Sequence, residues 1–101
     1  MNANHFDPVI AEAARAESIH GPLPIDAEPT ATLRAACAEL EGYSRAELRY
    51  AYKPSALAIL CEEVGEFARA KTPEEQIAEL TQIEAVCARY RAALAARPGG
   101  H

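Results

Sequence analysis

The sequence predicts an all-α fold, an antiparallel helical bundle completed by homodimerisation. Three observations carry this expectation. Helix start signals, a capping residue followed by proline or a capping box, recur along the 101 residues. No segment shows the apolar–polar alternation of a strand, and no internal repeat is present. Half of the chain is hydrophobic but only 6% is aromatic, and alanine makes up much of the apolar share. A single domain of this length then has a thin core, which favours burial through self-association.

Each element has its own signal. Asp7-Pro8 reads as N-cap and first helical residue, opening a helix to about Ser18. Gly21-Pro22-Leu23-Pro24 breaks it. A second helix is expected from Pro29-Thr30 to about Gly42, and a short third from the capping box Ser44-Arg45-Ala46-Glu47 to the break at Pro54. The next runs from Pro54 to about Lys71. Thr72-Pro73-Glu74-Glu75 joins a capping box to a proline in the first turn and starts the last helix, which reaches about Ala96 before a frayed tail over 97–101. The short turn over Lys71–Pro73 makes the last two helices an αα-hairpin.

Bulk properties exclude several classes of function. A net charge of −5 disfavours a nucleic-acid or anionic-membrane surface. No apolar run approaches a membrane span. The first residues lack the basic and apolar regions of a signal peptide, so a cytoplasmic location is expected. Cys37, Cys61 and Cys87 form no Cys-x-x-Cys pair, fit a reducing compartment, and read as small core residues. His5, His20 and His101 show no zinc-ligand spacing.

The chemistry lies in the carboxylates. On the helix after Pro54, at about 100° per residue, Leu57, Leu60, Val64 and Phe67 form an apolar stripe. Glu62 and Glu66 fall roughly opposite it, where a solvated face is the plain reading. Glu63, between Ile59 and Phe67 at four-residue spacing, borders the stripe. On the last helix Glu79 shares a face with Ile83, Val86 and Tyr90, and Gln82 sits beside it. Two carboxylates thus point along the seam of one hairpin. Burying them together costs several kcal/mol each without compensation. A cation, protons or basic partners (Arg69, Lys71, Arg89, Arg91) could compensate. Oxygen donors so grouped suit a hard divalent cation such as Mg²⁺.

The pattern Glu62-Glu63-x-x-Glu66, twelve further residues, then Glu79-x-x-Gln82 resembles the signature of the MazG-like, all-α nucleoside triphosphate pyrophosphohydrolases. Ala14–Pro22 is similar to the exit of the first helix in short MazG-like proteins of phages and bacteria. Ala58–Glu66 is similar to their metal helix, and Glu79–Val86 to their second acidic helix. The resemblance covers about 8–22 and 54–95. It implies Mg²⁺ held by Glu62, Glu63, Glu66 and Glu79, with Glu63 and Glu66 as catalytic carboxylates. It also implies a water that attacks the α-phosphorus of a nucleoside triphosphate, release of monophosphate and pyrophosphate, and a dimer or dimer of dimers.

The departures are specific. Gln82 stands where the family has aspartate and offers a carbonyl oxygen without charge. Residues 24–53 have no counterpart in the family pattern. Both features open a second reading, a catalytically weak or inactive MazG-like helical binding or inhibitor protein, phage-encoded in one version. Among further substrate contacts, His20 could present an imidazole or simply complete a turn. Tyr50, Tyr52 and Lys53 could stack on a base and meet phosphate, or form a half-buried patch beside Pro54.

Overall fold

The computed structural model describes residues 7–97; His5 and residues 98–101 of the expected tail, His101 included, lie outside them. Among the described residues there are four helices and no strand: α1 Asp7–His20, α2 Ala31–Tyr50, α3 Ala56–Ala68 and α4 Pro73–Ala95. The all-α expectation holds.

The helix ends follow local chemistry. Gly21 ends α1 in the left-handed region, at φ 79°, and its N–H donates to the Glu17 carbonyl at 2.8 Å, an αL cap that glycine adopts without strain. Thr30 and Ser55 cap α2 and α3 by accepting from the N–H of Leu33 and Ala58, each at 3.1 Å. At α4 the expected capping box is complete. Thr72 accepts from the Glu75 N–H at 3.1 Å, Glu75 accepts from the Thr72 N–H at 3.2 Å, and Pro73 follows the cap.

One expectation fails. The helix stop at Gly42 and the new start at Ser44 are not made, and α2 runs unbroken through both. The Ser44 hydroxyl does not cap; it donates back to the Leu40 carbonyl at 2.7 Å. Glu47, the expected third residue of that capping box, instead accepts from the N–H and the hydroxyl of Ser55, at 2.7 and 2.6 Å. It so fixes the start of α3. A mid-helix glycine costs about 1 kcal/mol, and the packing of α2 on α3 offsets it.

α3 is the central helix, packed on α2 along one side and on α4 along another. The seam with α2 is made of small and polar groups: Ala58 is 3% exposed, Ser44 5% and Glu41 6%, and Gly65 is buried. Gly65 is required by proximity. A Cβ there would overlap the Glu41 Cβ and lie 3.1 Å from its Cα. The seam with α4 is looser, with Leu60, Val64, Phe67, Ile83, Val86 and Tyr90 half-buried and Leu57 and Leu80 exposed. α1 meets α4 across a shallow groove bounded by Val9, Glu12, Ala16 and Arg91. Cys37 and Cys61 are half-buried, but Cys87 is exposed, so it is not the core residue expected. Tyr50 and Tyr52 are also exposed and form no half-buried patch.

Gly65→Ala tests the α2–α3 approach. The gain in helix propensity is about 1 kcal/mol, whereas overpacking costs about 1–3 kcal/mol. A lower urea midpoint at fixed protein concentration is expected; an unchanged or higher midpoint would contradict the close seam.

Candidate metal centre

Five carboxylates gather around α3, and the structure divides them into two sets. Glu41, Glu62 and Glu66 share the guanidinium of Arg45. Its Nη2 lies 2.8 Å from Glu41 and 3.4 Å from Glu66, and its Nε lies 3.3 Å from Glu62. Glu41 also accepts from Arg69 Nε, at 3.0 Å to each oxygen. The side of α3 that carries Glu62 and Glu66 is therefore no plain solvated face. It meets α2.

The second set is Glu63, Glu66 and Glu79. Each offers a carboxylate oxygen, and these oxygens all lie within 4.8 Å of one another. α3 supplies two of them because Glu63 and Glu66 are three residues apart on one helix face. α4 supplies the third. Glu66 belongs to both sets. Glu62, expected among the metal ligands, is outside this group and points its carboxylate at Arg45.

The electrostatics of the second set are unfavourable as it stands. Two unit charges 4.8 Å apart repel by about 3 kcal/mol at an effective dielectric of about 20. Among the described residues neither Glu63 nor Glu79 takes part in an ion pair, and each has a buried Oε1 without a hydrogen-bond partner. Burial raises the Glu63 carboxyl above its ordinary value, and Glu66, Glu79 and Glu62 raise it further. Two ionised carboxylates only accept, so neither supplies a donor to the other. A proton on Glu63 would supply one to Glu79.

A hard cation fits this donor set. The three residues offer oxygen ligands only, and among the described residues the buried Oε1 atoms of Glu63 and Glu79 have no hydrogen-bond partner when both groups are ionised. Oxygens that share one octahedral Mg²⁺ stand about 3–4 Å apart. The basic residues named from sequence as compensators do not meet the pair: Arg69 is bound to Glu41 instead.

The remaining candidates are exposed. Gln82 is exposed, three residues beyond Glu79 on α4; Lys53 is exposed in the α2–α3 connection, and His20 is exposed at the last position of α1. A groove of about 420 Å³, lined by Ile59, Val86, Arg89, Tyr90 and Leu94 among others, lies between α3 and α4. Ile59 is one turn before Glu63. A concavity of about 520 Å³ lies elsewhere, with Arg34, Glu41, Gly65 and Lys71 in its wall. None of the three clustered carboxylates lines either of the two.

Arg45 is the residue that sequence reasoning missed. Its i,i+4 spacing from Glu41 was a readable signal, but its two partners on α3 are 17 and 21 residues away. Residues 24–53, without counterpart in the sequence pattern, supply the helix that carries it. Compared with family models, with curated proteins and with solved structures, the chain matches none.

A pH dependence follows from Glu63. The fold favours its protonated form, so the associated stability is full below the ordinary carboxyl value of 4.5 and is lost as pH rises through the raised value. Glu47 and Glu75 are held low, by hydrogen bonds from Ser55 and from the Lys71 and Thr72 N–H groups. Their contribution is lost only at lower pH. With a chelator present, the melting temperature is expected to fall as pH rises above the ordinary carboxyl value of 4.5. Glu63→Gln should flatten that slope and melt higher than wild type at neutral pH. Equal slopes in the two proteins would contradict the assignment.

Proposed function

We propose that the chain is a Mg²⁺-dependent nucleoside triphosphate pyrophosphohydrolase of MazG-like type, a cytoplasmic homodimer or dimer of dimers built from antiparallel helix pairs. One observation carries the reading: the partnerless buried oxygens of Glu63 and Glu79, grouped with an oxygen of Glu66. The resemblance over 8–22 and 54–95 supplies the reaction class.

Glu63, Glu66 and Glu79 hold the cation. A Mg²⁺ ion held there would supply positive charge against the triphosphate and a bound water of lowered pKa. The chain's own groups do the rest. Of the catalytic carboxylates Glu63 and Glu66, an oxygen that does not hold the cation accepts the proton of the attacking water. The water oxygen bonds to the α-phosphorus as the bond from that phosphorus to the α–β bridging oxygen breaks. Pyrophosphate leaves with the bridging oxygen and the monophosphate remains. The groove between Ile59, Val86 and Tyr90 has the apolar wall and nearby arginine that a nucleoside requires. Gln82 offers a carbonyl oxygen to substrate. Lys53 and His20, both exposed, meet it in the assembled oligomer.

The assembly is supported by how little the chain buries. Among the described residues Ala58 is the only apolar residue in the buried class, and fourteen large hydrophobic side chains are exposed. Sedimentation is expected to give at least a dimer at tens of micromolar protein; a monomer would contradict it.

A specific observation also favours the second reading, a weakly active or inactive helical binding or inhibitor protein. It is Gln82, neutral and exposed one turn past Glu79. Activity separates the two. Mg²⁺-dependent pyrophosphate release from a nucleoside triphosphate is expected, lowered on the order of 100-fold by Glu63→Gln or Glu79→Gln. Gln82→Asp should keep or raise it. If no nucleotide yields pyrophosphate even with Gln82→Asp, the binding-protein reading stands instead.

A further inference from the structure

Arg45 brings a positive charge of the chain itself to the acidic side of α3. Its guanidinium reaches Glu62 at 3.3 Å and Glu66 at 3.4 Å, and the anchor is Glu41 at 2.8 Å. The Glu41 side chain is only 9% exposed, and Arg69 Nε also donates to both of its carboxylate oxygens. Arg45 is thus fixed from behind, on α2, and presents its fork to α3.

Charge counting shows what this does. Glu62, Glu63, Glu66 and Glu79 carry four negative charges. Two divalent cations would neutralise all four. Arg45 already neutralises one and uses Glu62 and one oxygen of Glu66 to do so. Three negative charges remain for incoming cations, and a second divalent ion would leave the site positive. It would also need ligands that Arg45 now holds. Gln82 adds no charge to recruit it.

Resting on the cation reading proposed above, we infer that Arg45 makes this a one-cation site. It stands in for a second metal ion by holding Glu62 away from the cluster and occupying one oxygen of Glu66, which leaves the other for Glu63 and Glu79. Arg45 is a positioning residue; it contacts carboxylates, not reacting atoms. The segment 24–53, without counterpart in the sequence pattern, then has a role in the site.

The test counts Mn²⁺ bound per chain from the loss of the free-ion paramagnetic resonance signal, using manganese chloride alone on the full chain. Wild type is expected to bind one ion. Arg45→Met removes the charge at similar length and leaves Glu41 paired with Arg69; it is expected to bind two. Arg45→Lys keeps a positive charge and is expected to bind one. Glu62→Gln leaves the helix seam in place should Arg45→Met not fold, and it is expected to change wild-type affinity by less than about threefold. Loss of a ligand costs at least as much as the roughly tenfold typical of a residue that hydrogen-bonds a ligand. One ion on Arg45→Met, two on wild type, two on Arg45→Lys, or a tenfold loss in Glu62→Gln would each overturn the role of Arg45 while leaving the cation site standing. No ion on wild type would overturn the cation reading itself.

Discussion

Glu41 sits where two helices approach too closely for any side chain on the other. Its Cβ faces Gly65 across the α2–α3 seam, and its carboxylate is held between Arg45 and Arg69. A buried carboxylate is costly unless paired, and here the pairing fixes geometry. It sets the rotation of α2 against α3, and so decides which carboxylates of α3 meet a cation of the chain and which do not. Both arginines are half or more exposed, so the pair adds modestly to stability. Its larger consequence is positional.

The acidic surface of α3 is divided by that rotation. Glu62 faces α2 and is neutralised there. Glu63 faces α4 and is not. Glu66 lies between and belongs to both environments. A carboxylate gains from a neighbouring guanidinium and loses from burial and like charge. The same helix therefore carries one acid that is satisfied within the chain and another whose proton affinity is raised. Such a contrast between adjacent groups is what a site needs if one carboxylate is to organise and another is to exchange a proton or hold an ion.

Much of the architecture was legible in the sequence because its signals are local. Thr72, Pro73 and Glu75 are a complete start signal within four residues, and the structure forms all of it. Gly21 with its neighbouring prolines likewise ends α1. The failure at Gly42–Ser44 has a tertiary cause: a glycine and a serine there end a helix in isolation, but Glu41 and Ser44 lie in the buried seam. The grouping of Glu63 with Glu79 could be read from helical phase, since both fall beside apolar stripes. The separation of Glu62 could not. It depends on Arg45, whose partners on α3 are remote in sequence and became visible only once α2 was seen to pack there.

The thin core bears on the same site. With apolar side chains such as Leu57, Leu80 and Leu94 left exposed, the α3–α4 seam gains little from burial, while its three carboxylates repel. An ion between them would turn that repulsion into cohesion. Crystals grown with Mn²⁺ test this most directly through anomalous scattering. A peak at about 2.1 Å from oxygens of Glu63, Glu66 and Glu79, with Glu62 still on Arg45, is the expected result. Carboxylates of Glu63 and Glu79 turned apart, or a peak only at other residues, would contradict the account.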